Sequence, residues 1–308
     1  MIEPKKNSPW LSMMILLGLT FACAFVLQLV VVLGILIGTG DINSLVNSGG
    51  SIYPEDTMML YLLLGISSIA TFLLPALFLQ IIEKRQVDYF PNESAHFGKY
   101  LVLSLLFLLA CNPAMELVSR WNMDMTLPES FQGMEVWMRG KEDEMADLTE
   151  KLVMVESLEY LLLNLFVMAV IPAIVEEFYF RGALQKIFIR LFKNAHVAIW
   201  VTAIIFSAIH VQFYGFFPRM LLGLIFGYAF LWSRNIWVPV FAHFLNNASV
   251  TLIAYFYARE GKTYYDLQNS NPYSLPLYIG SIILSIGIAY YFYMISQNKN
   301  KQNGLELD

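Results

Sequence analysis

Charge is what this sequence most conspicuously has little of. Of 308 residues only 14% are Asp, Glu, Lys or Arg, while 57% are hydrophobic and the mean hydropathy is +0.57. A soluble globular domain carries about 25% charged residues, so the composition excludes that class and predicts a polytopic membrane protein. The net charge of −5 says nothing for a nucleic-acid partner, and none is expected. Cysteine is scarce as well. Cys23 and Cys111 both lie within apolar runs, cannot make a disulfide framework or a thiolate metal site, and are expected to be small packing residues. No internal repeat is evident, which speaks against a repeat-built transporter in which buried Glu and His would relay protons. Helix-local zinc signatures of the H-E-x-x-H kind are also missing.

Long apolar runs are what the chain has in quantity. Eight are read, at about 11–38, 57–82, 100–119, 158–181, 197–217, 219–233, 236–257 and 275–295, each near the roughly 20 residues needed to cross a bilayer. The fold class expected is therefore all-α, a multi-pass integral membrane bundle of about eight transmembrane helices. The first run imitates a secretory signal but continues past Cys23 to about Gly38, too long for an h-region, and is read as a retained span. Three regions are expected: 1–156 with spans one to three, a core at 157–257, and 258–308 with the last span and a polar tail that should fray. Lysine and arginine set the orientation. With both termini cytoplasmic, 12 of them fall on the inner side and 7 on the outer, so termini-in is favoured. The connection 120–157 is the one substantial extramembrane piece. Met134, Val136, Trp137 and Met138 followed by KEDEMADLTEK suit amphipathic helices on the membrane surface or a solvated charged helix.

The charge that does enter the apolar runs is concentrated in EEFYFR, residues 176–181. A charge near the bilayer centre costs roughly 2.5–3.5 kcal/mol on insertion scales, so these groups call for partners. Glu177 and Arg181 are four apart and can pair along one helix face. Glu176 is turned by about 100° and needs a different partner. The later runs offer FSAIH, with Phe206 and His210, and HFLNN, with His243 and Asn247. Hydrolysis of an amide needs a base for water, donors for the developing oxyanion and an acid for the leaving nitrogen, and Glu176, His210, His243 and Asn247 can supply all three. The same Glu176, His210 and His243 could instead make an open zinc site. Glu177 with Arg181 could be a purely stabilising pair at the cytoplasmic end, and Phe206 reads as packing. Gly182, Gly215, Gly223 and Gly227 read as points of close helix approach. Pro172 should loosen the helix before Glu176 and leave a carbonyl in need of a partner. Depth sets up a tension. At 1.5 Å per residue Glu176 and His243 lie roughly 8 and 10 Å from the inner ends of their spans, and His210 roughly 20 Å.

In order and spacing, Glu176-Glu177-x-x-x-Arg181, Phe206-x-x-x-His210 and His243-x-x-x-Asn247 resemble the motifs of the CAAX protease and bacteriocin-processing family, intramembrane endopeptidases that include the type II CAAX prenyl protease. The resemblance covers about residues 157–250. It implies that Glu176 activates water with help from His210, that His243 and Asn247 stabilise the oxyanion, and that Glu177 and Arg181 shape the site. It implies no cofactor if the enzyme is of the glutamate type, with zinc the alternative; Asn247 favours the former as a better oxyanion donor than metal ligand. The implied partner is a membrane-embedded or lipid-anchored peptide or protein. The competing role is a non-catalytic interaction or bacteriocin self-immunity protein. Short connections give the chain a bacterial look, so a bacterial cell membrane is expected, with the site opening toward the inner face.

Overall fold

The computed structural model describes residues 6–39, 57–268 and 272–303; the end of the polar tail, 304–308, lies outside the described residues. Every regular element among the described residues is helical, as composition requires of backbone that lipid cannot hydrogen-bond. In chain order they are α1 (Pro9–Thr39), α2 (Thr57–Glu83), α3 (Phe97–Met123), α4 (Gln132–Val153), α5 (Leu158–Phe192), α6 (Ala195–Ala208), α7 (Phe216–Ser233), α8 (Trp237–Arg259), α9 (Tyr264–Gln268) and α10 (Leu275–Asn303).

Six of these, α1, α2, α3, α5, α7 and α10, are long and apolar enough to cross a membrane. The other two expected spans are helices of a different kind. α6 has only 14 residues, because the chain reverses at Val211, which has φ +55°. α8 has 23 residues but carries His243, Asn246, Asn247, Ser249 and Thr251. α5 departs from expectation in the other direction. Its charges do not end it at Arg181, because they are neutralised inside the bundle, and it runs on until Lys193 takes a left-handed conformation, φ 54°. Local caps fix the starts: Ser157 Oγ accepts from Tyr160 N at 3.2 Å and Asn194 Oδ1 from Val197 N at 3.1 Å.

Prolines shape the long helices. Wide π turns at Ile69–Leu73 and Leu165–Val170 each end just before a proline, Pro75 and Pro172. In α3, Pro113 opens the ladder, and Ser281 of α10 fills the gap: its hydroxyl donates to Ala110 O at 2.6 Å and accepts from Ala114 N at 3.1 Å.

Two polar knots mark the two faces of the bundle. On the face where the described chain begins, buried Glu83 accepts from Asn7 Nδ2 (2.9 Å), Ser12 Oγ (2.8 Å) and Tyr89 OH (2.6 Å), with Arg190 of α5 3.7 Å away. On the opposite face, Leu152 O at the end of α4 accepts from Tyr61 OH of α2 (2.9 Å) and Asn164 Nδ2 of α5 (2.6 Å), while Tyr61 OH also donates to Asn164 Oδ1. The 120–157 connection is thus built round one long helix, α4, docked on the bundle by its end and, through Glu142, by its middle; Met134, Val136 and Trp137 stay exposed.

α6 and α7 pack closely. A Cβ on Gly223 would stand 3.0 Å from Ala203 Cβ, and one on Gly227 would stand 2.8 Å from Ile199 Cγ2, the signature of a small-xxx-small contact. Gly182 likewise lies against the Phe90 ring. Gly215 is the exception to the expected reading, since it faces the Arg219 guanidinium and not another helix.

Candidate active site

α5, α6, α7 and α8 bring the three motifs to one place. Glu177 and Arg181 are both 0% exposed, and Arg181 Nη1 donates to Glu177 Oε1 at 2.6 Å. The pair was expected at the cytoplasmic end of its span. It lies instead in the middle of α5, because the helix continues eleven residues past Arg181 to Phe192. Arg181 is held on three further sides, by Gly223 O at 3.2 Å and by the rings of Phe206 and Phe226, with its guanidinium carbon 4.5 and 5.3 Å from their centroids. Phe206 therefore does more than pack, and the bare backbone at Gly223 is what lets Arg181 reach its carbonyl.

His243 joins the two glutamates. Its Nδ1 is 2.8 Å from the same Glu177 Oε1, and its Nε2 is 4.0 Å from Glu176 Oε2. The resemblance had implied for it, with Asn247, only the oxyanion. Because Glu177 is an acceptor, Nδ1 carries the hydrogen, and in the neutral ring Nε2 faces the cavity with a lone pair. The Phe226 ring stacks on His243 at 5.0 Å and holds its plane. His210 follows the same rule. Its Nδ1 is 2.8 Å from Phe206 O, so Nδ1 donates and Nε2 is again the acceptor in the neutral form.

Asn247 has a local task. Pro172 has no N–H to offer the Met168 carbonyl four residues back, and Asn247 Nδ2 donates to that carbonyl at 3.3 Å. Asn246 Nδ2 in turn donates to Asn247 Oδ1 at 3.1 Å. The partner that the proline required is thus one of the motif residues.

Glu176, His210, His243 and Asn247 line a cavity of about 310 Å³, together with Phe206, Phe226, Asn246 and, from the first turns of α7, Pro218, Arg219 and Leu222. Glu176 presents 16% of its side chain, in contrast to its sealed neighbour. The depth tension between Glu176 and His210 disappears: with α5 ending at Phe192, Glu176 is about 24 Å from that end and His210 about 22 Å from the start of α6. Part of the lining, His210 and Gly215, comes from the 209–215 turn, on the face of α4, opposite the face where the described chain begins.

Three contributors went unnoticed in the sequence. Arg219 was counted as a face charge, although the rule that singled out 176–181 applies to it equally. Gln212 Oε1 accepts from Arg219 Nη2 at 2.7 Å. Glu142 of α4 accepts from Tyr214 N at 3.3 Å and Gln212 Nε2 at 3.5 Å, and burial pushes its carboxyl above the usual range. A glutamate in an acidic surface run carries no signal of such a role. Among the described residues no group of three or more His, Cys, Asp or Glu side chains stands so as to hold an ion.

A helical membrane bundle with a carboxylate and two imidazoles facing one internal cavity is the class that fold and site define. Residues 158–249 match the family model described as Type II CAAX prenyl endopeptidase Rce1-like, so the resemblance read from the motifs holds over the segment that carries them. The uncharacterized protein YpbD of Bacillus subtilis (strain 168) is 27% identical over 89 residues, which is 28% of this chain and 42% of that protein. The match thus spans less than half of that relative. No solved structure matches.

Proposed function

We propose that this protein is an intramembrane endopeptidase that hydrolyses a peptide bond in a membrane-embedded or lipid-anchored substrate, a reading in keeping with the CAAX-type proteases that the matched segment resembles. One observation carries it: Glu176 is the carboxylate of the buried pair that reaches the cavity, which two histidines also line with Nε2 atoms as acceptors. A water that donates one O–H to an Nε2 lone pair and the other to Glu176 can give the latter proton to Glu176 as its oxygen adds to the substrate carbonyl carbon. The carbonyl π pair moves to oxygen, and collapse expels the amine, which takes the proton back from the Glu176 carboxyl. Glu177 and Arg181 act on this through His243, whose ring they orient. The resemblance also assigns the oxyanion to His243 and Asn247; of these, Asn247 keeps one amide N–H beyond its bond to Met168. No step needs a metal.

For orientation, we place the termini on the cytoplasmic side of a bacterial cell membrane from the lysine and arginine bias.

The test uses purified full-length protein in detergent, a fluorogenic prenylated C-terminal peptide and a quenched library of membrane-anchored peptides, with rates normalised to monodisperse protein. Glu176→Gln should lower turnover about 10²–10⁴-fold with folding intact, and strong chelator should leave the parent's turnover unchanged. Equal rates for Glu176→Gln and parent reject the enzyme in favour of a scaffold or immunity role. Activity lost to chelator and restored by zinc rejects the metal-free mechanism.

A further inference from the structure

We infer that Arg219 is a catalytic residue, the donor that takes up the negative charge on the substrate's carbonyl oxygen when water adds to it. This rests on the peptidase reading above and adds a group to it.

Arg219 stands in the first turns of α7 and lines the cavity that holds Glu176. Its guanidinium is aimed, not loose: Nη2 donates to Gln212 Oε1 at 2.7 Å, and Gln212 is tied in turn to Glu142 of α4. Nη1 is shielded from solvent and has no hydrogen-bond partner among the described residues. A buried N–H of a cation without an acceptor is costly and rare, which points to an acceptor that arrives with the substrate.

The histidines are poorly placed for the same task, and the asparagines bring one free, uncharged N–H each. His210 and His243 each spend their N–H on Phe206 O and Glu177, so their neutral rings turn acceptors inward and repel an oxyanion. Asn247 and Asn246 each have one amide N–H committed, to Met168 O and to Asn247 Oδ1. Charge bookkeeping agrees. Glu177 neutralises Arg181, which leaves Glu176 and Arg219 as the two cavity charges. When Glu176 takes the proton of water it becomes neutral, and the negative charge moves to the substrate oxygen. With Arg219 facing it, the cavity's net charge is the same before and after the addition, so the fixed guanidinium can stabilise the oxyanion without rearrangement.

The test compares Arg219→Gln, Arg219→Lys, Gln212→Ala and Glu176→Gln in the same assay, with kcat and KM separated and with a phosphonamidate analogue of the cleaved reporter as a tetrahedral probe. Arg219→Gln should lower kcat about 10²–10³-fold with KM nearly unchanged, and should weaken phosphonamidate binding by a similar factor. Arg219→Lys should recover part of the loss. Should Arg219→Gln fail to fold, Gln212→Ala, which frees the guanidinium from its tether, should lower kcat and leave KM alone. A KM effect without a kcat effect overturns the assignment and makes Arg219 a substrate anchor. Parent-like kcat in the folded Arg219 variant, or in Gln212→Ala where it stands in, overturns it outright. If Glu176→Gln also matches the parent, or if the parent cleaves nothing, the peptidase reading falls and takes the assignment with it; if only the Arg219 variants match the parent, this assignment alone is wrong.

Discussion

Arg181 is the bulkiest wholly buried side chain among the described residues, and the charge it carries is tolerable only because of what surrounds it. Glu177 Oε1 accepts from both Arg181 Nη1 and His243 Nδ1, while Phe206 and Phe226 cover the guanidinium. Removing one member of a buried pair costs about 3–5 kcal/mol, because the other is left charged and unpaired. Glu177→Gln should therefore reduce stability by about that amount, read as a lower denaturation midpoint and poorer monodisperse yield in detergent. Its folded fraction should retain more turnover than Glu176→Gln, and a midpoint equal to the parent's would refute this account. The four-residue spacing of Glu177 and Arg181 made their pairing legible in the sequence. That His243 would share the same oxygen was not legible, since it lies 66 residues away and local periodicity reports nothing about partners on other helices. Arg219 was hidden for the opposite reason: at the edge of an apolar run it looked like an ordinary face charge.

Among the elements, the α6–α7 contact shows what the glycines are for. Gly223 and Gly227 let the helices close, and their exposed carbonyls accept from Arg181 and Gln185 of α5, both at 3.2 Å. A Cβ on Gly227 would meet Ile199 Cγ2 at 2.8 Å and Gln185 Oε1 at 3.0 Å. Gly227→Ala should then cost about 1–3 kcal/mol of overpacking, whereas Gly18→Ala, with no atom within 4 Å of its Cβ, should be neutral or stabilising. Paired thermal melts of the two variants check this, and equal midpoints would contradict it. The small-xxx-small spacing was readable in advance, and so was Pro172's need for a partner. Helix ends were not. α5 was cut short because charge in an apolar run reads as a boundary, and α6 was drawn too long because the apolar run hides the reversal at Val211.

At the scale of the whole molecule, the bundle has two unlike faces. One gathers Asn7, Glu83 and Arg190; the other gathers α4 and the 209–215 turn, and the cavity lies toward the second. Arg181 and Arg219 both prove internal, so they drop out of the lysine and arginine comparison, which then stands at eleven against six and still favours cytoplasmic termini. A single cysteine at exposed Ser130, with Cys23 and Cys111 replaced by Ala, should react with an impermeant maleimide in intact cells. One at exposed Arg85 should react only after permeabilisation; the reverse pattern would invert the orientation. The knot at Leu152 has a consequence for biosynthesis. α4 leaves the ribosome before α5, yet the Leu152 carbonyl in its last turn is shared between Tyr61 of α2 and Asn164 of α5. The end of α4 therefore cannot be fully fastened until α5 has emerged and entered the bilayer, so this face of the bundle is completed only as the chain segment bearing Glu176 arrives.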